Sequence, residues 1–179
     1  MRKLFYLFLA IGLLSGLSAN SQLELAKLLD KKYHDMLPGI GASLKFGYPV
    51  SEAADATIEA GAMLFFDKDY PESYGLAIVP VKLGYRHTLN GSGTGFYIEP
   101  QVGYNIYGGE TLEDYETGEL IDRKGTGFIW AAGIGYLFKP SRRMQFNLGL
   151  RYESILDKGY PKNFIGLRLS HNFTFGQRE

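Results

Sequence analysis

The sequence predicts an all-β fold: a closed antiparallel up-and-down barrel that crosses a membrane on its strands. Three observations lead there. From Gly39 onward apolar and polar residues alternate with period two, so each extended segment carries one oily and one polar face. The small residues share the polar face with the charges. A leader with the layout of an export signal comes first. Composition agrees, because the 179 residues include 23 Gly, 13 Tyr and 12 Phe but one Trp, and glycine disfavours helices while aromatics favour strands. The length suits one domain. With no cysteine, disulfides, thiolate metal sites, a Cys nucleophile and a lipid-modified N-terminal Cys are excluded. The formal charge is zero and neither sign forms a long run, which argues against nucleic acid as a partner.

Residues 1–21 read as a signal peptide. Arg2 and Lys3 precede an apolar stretch from Leu4 to Leu14, and Ala19-Asn20-Ser21 forms the expected cleavage motif before Gln22. The apolar run is shorter than the roughly 20 residues of a spanning helix. Removing the leader leaves 17 basic against 19 acidic residues, since it carries two cations and no anion. Nothing after residue 22 can span as a helix, so any later membrane crossing must use strands.

Residues 22–38 form a separate N-terminal segment. In "LELAKLLDKKYHDML" the positions Leu25, Leu28, Leu29, Lys32 and Met36 keep a helical spacing, which predicts a short amphipathic helix, with a weak first strand as the alternative. Residues 39–179 form the barrel. Seven alternating segments lie near 39–48, 56–66, 74–86, 95–107, 127–138, 143–155 and 163–175. At about 9 to 13 residues they lie near the roughly 9 to 11 of a tilted membrane strand. The connections alternate between tight turns ("PVSEAAD", "TLNGSGT", "KPSRR") and longer or more charged loops ("DKDYPES", "DKGYP" and the acidic stretch from Gly108 to Thr126). In outer-membrane barrels short turns mark the inner rim and longer loops the outer one.

One face of these segments carries Lys45, Glu59, Lys82, Arg86, Glu99, Gln101, Arg151, Glu153 and Arg168 together with Gly41, Gly61, Gly84, Gly103, Gly133, Gly135, Gly149 and Gly166. The other carries Phe, Tyr, Leu, Ile, Val and Trp. Leu76 and Ile78 fall out of phase with Val79 and Val81, and a bulge at Pro80 is expected to reconcile them.

A small barrel has little room inside, so the face with the glycines and charges is the interior and the bulky face is the wall. A cation facing lipid at mid-membrane costs roughly 2 to 4 kcal/mol, and four or five inverted ones on the order of 10 kcal/mol, so only this polarity is tolerable. The charges Lys45, Glu59, Lys82, Glu99, Arg151, Glu153 and Arg168 are then expected to pair into a solid interior network rather than line a pore. Aromatics are expected to form two interfacial girdles, including Tyr85, Phe96, Tyr136, Phe173 and Phe175 by the short turns and Tyr104, Trp130 and Tyr152 by the loops.

The stretch "AIVPVKLGYRHTLNGSGTGFYIEPQVGYNIYG", residues 77–108, and the closing "FIGLRLSHNFTF" resemble small outer-membrane β-barrel proteins of the OmpA/OmpX-like type, and more particularly the outer-membrane β-barrel domain proteins common in Bacteroidetes. The likeness covers residues 39–175. It implies eight strands, with the first within residues 23–37, and a last strand carrying Phe173 and Phe175 as the signal read by the barrel-assembly machinery. Ser170 where that signal usually has Gly, and four residues after Phe175, depart from the pattern.

No catalytic, cofactor or metal site is expected. Ser170 and His171 are neighbours on a strand and face opposite ways, His87 borders a short turn, and His34 lies in the N-terminal segment, so no His, Ser and carboxylate converge. The acidic stretch between Gly108 and Thr126 lacks EF-hand spacing and reads as a hairpin. The expected role is architectural, in the cell outer membrane among its lipids, with the loops free for a surface partner. The competing readings are a soluble secreted barrel binding an apolar ligand, and a small pore or lipid A-modifying enzyme.

Overall fold

The computed structural model describes residues 18–68, 75–113, 120–139, 145–157 and 161–174. Their strands are β1 (Ser18–Leu28), β2 (Gly39–Pro49), β3 (Ala54–Phe66), β4 (Gly75–Thr88), β5 (Gly95–Glu113), β6 (Leu120–Lys124), β7 (Gly127–Phe138), β8 (Gln145–Asp157) and β9 (Lys162–Thr174). A single 3-10 turn, Lys31–Tyr33, lies between β1 and β2. All neighbours pair antiparallel, each strand beside the next in the chain except that β7 pairs with β5 and not with β6, and β1 closes the sheet against β9 from Ser18↔Thr174 to Leu28↔Phe164. β6 pairs with β5 alone, from Gly109↔Lys124 to Glu113↔Leu120, and is the upper part of the leg that β7 continues. The nine strands therefore make an eight-membered ring with one hairpin prolonged at the loop end. The tip of that hairpin, "ETGE", lies outside the described residues.

Two expectations change. The segment 23–37 is not an amphipathic helix: its first part belongs to β1, and a 3-10 turn follows. Leu25, Leu28 and Leu29 mimic a helical face, but Gln22, Glu24 and Ala26 are buried while Leu23 and Leu25 are exposed, which is a strand's alternation. β1 begins at Ser18, so a cut before Gln22 would leave it as Gln22–Leu28.

The second change concerns Pro80. β4 has no phase change, since Leu76, Ile78, Pro80, Lys82, Arg86 and Thr88 all lie on its buried face. The irregularity falls on the facing strand, where Val79 pairs with Tyr107 and Pro80 with Asn105, leaving Ile106 as the extra residue of a bulge. Ile106 and Tyr107 are consequently exposed in succession. The side-chain oxygen of Asn105 accepts the Val79 N–H at 3.0 Å, tying the bulge down. Nearby, a Cβ on Gly103 would stand 2.0 Å from the Val81 carbonyl oxygen, so only glycine permits this approach.

Leu76 and Ile78 face inward because the loop end of the interior is apolar. They pack with Ala26, Leu28, Met63, Phe65, Ile129, Ile155 and Phe164, and Tyr33 of the 3-10 turn closes over them with Met36 beside it. Phe65 and Phe164 meet edge to face at 5.8 Å. Below this layer the interior is polar.

Candidate functional site

The seven charges expected to pair sit at alternate positions of six strands. Lys45 on β2, Glu59 on β3, Lys82 on β4, Glu99 on β5, Arg151 and Glu153 on β8 and Arg168 on β9 are each at most 3 % exposed. Period two puts them inside, and neighbouring registers set them level: Lys45 pairs in register with Glu59, Glu59 with Lys82, and Gly133 with both Glu99 and Arg151.

Glu59 is the hub. One of its oxygens accepts from Arg151 at 2.5 Å and stands 3.2 Å from the Lys82 ammonium. The other lies 3.0 Å from Lys45, accepts from Gln101 at 3.1 Å and meets Arg168 at 3.4 Å. Lys45 also donates to both oxygens of Glu99 at 2.7 and 2.8 Å, and Lys82 to both of Glu153 at 2.9 and 3.0 Å. Arg168 reaches Glu99 at 3.0 Å, and Arg151 pairs with Glu24 and Glu153. Each carboxylate thus meets at least one cation, the condition under which buried charge is tolerable.

Further members join the seven charges expected to pair, Gln101 among them. Glu24 on β1 was hidden by the helical look of its segment. Arg86 approaches Glu99 at 3.5 Å and stacks over the Tyr97 ring at 5.0 Å. Tyr97 donates to Asn147 at 2.8 Å, and its hydroxyl would stand 2.5 Å from a Cβ on Gly135 and 2.6 Å from one on Gly149. Those glycines are the seat of an aromatic ring laid across β7 and β8. The signal was there to read: an inward Tyr in a cramped barrel needs glycines opposite it.

The wall is apolar all the way round. Leu23, Leu44, Ile58, Leu83, Val102, Ile134, Leu150 and Leu167, one from each member of the ring, are all between 46 % and 66 % exposed. Such a belt far exceeds the apolar patches of water-soluble monomers and suits hydrocarbon. No helix among the described residues is long and apolar enough to cross a membrane, which has no bearing on crossing by strands.

Tyr85, Phe96, Tyr104, Trp130 and Tyr136 stand exposed on the wall. Toward the short-turn rim Phe96 meets Tyr136 at 4.9 Å and Tyr136 meets Phe138 at 4.6 Å. Toward the loop rim Trp130 lies 5.4 Å from Tyr152, whose hydroxyl donates to Asn163 at 3.0 Å. The Phe173 backbone pairs with Ala19, while its side chain and the whole of Phe175 lie outside the described residues.

The histidines stay apart. His34 pairs with Asp35 at 2.9 Å by the 3-10 turn, His87 stacks on Tyr85, and His171 packs outside against Phe146 at 4.9 Å while Ser170 is buried inside. Among the described residues no three His, Asp or Glu side chains are placed to hold a metal ion.

No family model matches the chain, and no curated protein matches its sequence. Solved structures do match in fold. The chain is similar to Neisserial surface protein A (TM-score 0.63, 14 % identity, 90 % of this chain and 98 % of that one covered). It is similar to Ail, the attachment invasion locus protein of Yersinia pestis (0.63, 16 %, 89 % and 99 %). It also resembles the N-terminal β-barrel domain of Pseudomonas aeruginosa OprF (0.57, 15 %, 87 % and 97 %). The fold is that of the small OmpA/OmpX-like outer-membrane barrels.

Proposed function

We infer that the protein is an integral outer-membrane barrel with an architectural role, a solid interior, and a loop end that serves as its contact surface. The observation that carries this is the distribution of polarity: bulky apolar side chains cover the outside of the ring while the charges meet within it. A soluble barrel holding an apolar ligand would need the opposite arrangement. The likeness to Ail, an attachment invasion locus protein, supports surface contact as the use of the loops. The last strand, β9, is the segment offered to the barrel-assembly machinery. An architectural rather than catalytic role is supported by the separation of the three histidines, none of which has both a nucleophile and a carboxylate beside it among the described residues.

Extraction from membranes only by detergent, with gel migration that shifts on boiling, is the expected behaviour. Recovery of the folded protein in the soluble periplasmic fraction would overturn the reading.

A further inference from the structure

The wall is not uniformly bulky. On the outer faces of β2 and β3 the side chains of Ala42 and Ala60 are small and form the floor of a trough of about 630 Å³. Leu23, Leu44, Leu169 and Phe146 stand as its banks, and His171 closes one end. The small floor positions are set by register, since Leu44 lies beside Ala60 and Leu23 beside Ala42. On this register each small residue has a leucine for a neighbour.

We propose that this trough is a site for one acyl chain of a phospholipid from the inner leaflet. The proposal rests on the outer-membrane reading and adds a specific lipid contact to it. Four features select the occupant. The trough is continuous with the apolar belt, so hydrocarbon already surrounds it. It crosses from β8 to β3 through β9, β1 and β2, four strand spacings of roughly 4.8 Å or on the order of 19 Å around the wall. One leaflet's chains span about half of a ~30 Å core, a comparable length. A methylene needs no more space than a water, roughly 30 Å³, so a chain of ordinary length fits the volume.

The third feature is position. Phe146 and His171 lie near the short-turn ends of β8 and β9, among the aromatics of that rim, which is the inner-leaflet side. His171 brings an imidazole to that rim, where a glycerophospholipid changes from chain to ester and phosphate. The fourth feature is shape. A second copy of the chain related by a two-fold axis would set trough against trough and leave a void between them, because isologous contact needs a self-complementary surface.

The test is native mass spectrometry of the full chain in detergent, delipidated and then given dioleoyl phosphatidylethanolamine in defined amounts. Wild type should retain one phospholipid adduct after the detergent is stripped. Filling the floor with A42L/A60L should reduce that retention about tenfold, whereas A132L, an equally outward alanine on β7, should leave it unchanged. Equal retention in all three proteins would overturn the proposal. So would a lipid-free dimer sensitive to A42L/A60L, or selective retention of a lipid A-type glycolipid instead of the phospholipid. Boiling-dependent migration of each variant separates the two levels of inference. A barrel that shifts normally without the adduct counts against the trough alone, and a protein that stays in solution without detergent counts against the membrane reading itself.

Discussion

Glu59 faces four cations at once, and no other carboxylate here carries so much of the interior. Glu59→Gln would leave Lys45, Lys82, Arg151 and Arg168 short of one negative charge where water cannot replace it. Removing one partner of a buried pair costs about 3 to 5 kcal/mol, and urea unfolding of the refolded barrel in lipid should show a loss of that size. Tyr97 offers a second measurement. Gly149→Ala sets a methyl against its hydroxyl and should cost about 1 to 3 kcal/mol, the usual penalty of overpacking. Tyr97→Phe in the same chain removes the 2.6 Å contact, so the double variant should recover part of the loss. Strictly additive losses would place the conflict elsewhere. At this scale the sequence was informative where a charge sat among glycines, as with Arg151 near Gly149. It was misleading where leucines crowded the chain, as around Glu24, because local spacing cannot tell a helical stripe from a strand with one extra apolar residue.

Strand β8 shows how the two faces differ in consequence. Leu148 is exposed on the wall and Asn147 is fully buried, accepting the Tyr97 hydroxyl. Leu148→Arg should cost about 2 to 4 kcal/mol in lipid and impede assembly, while Asn147→Ser gives up one hydrogen bond, about 1 kcal/mol. Equal unfolding midpoints for the two would mean that the faces are exchanged. The prolonged hairpin behaves as an appendage, because β6 pairs only with β5 and the Gly125 N–H already donates to the Gly108 carbonyl at 2.7 Å below it. Replacing residues 112–121 by a short turn should leave the boiling-dependent migration intact. Period two made the seven later strands legible, with β7 matched at both ends. The bulge falls at Pro80 as expected but on the facing strand, and no phase change is needed in β4: the rule that oily means outward fails at the loop end, where the interior itself is apolar and Leu76 and Ile78 belong inside.

For the whole molecule, the question is whether anything passes through. The network fills the middle of the ring with side chains that are nearly all inaccessible, and the apolar layer beneath Tyr33 closes the loop end. Planar bilayers holding the purified protein should therefore stay silent, and steady conductance steps at neutral pH would contradict a solid interior. Closure of the ring was the part least visible in the sequence, since pairing of the first strand with the last is a property of strand number and not of any local pattern.

The ion pairs join parts of the chain that are synthesised far apart. Arg151 meets Glu24 across 127 positions, and Arg168 meets Glu59 across 109 and Glu99 across 69. Until β8 and β9 arrive, Glu24 has no cation beside it, Glu59 has Lys45 and Lys82 without its two arginines, and Glu99 has Lys45 and Arg86 without Arg168. A partly built wall thus holds carboxylates with only part of their partners, and the arginines of the last two strands complete the set. The buried charges therefore tie completion of the interior to the arrival of β8 and β9.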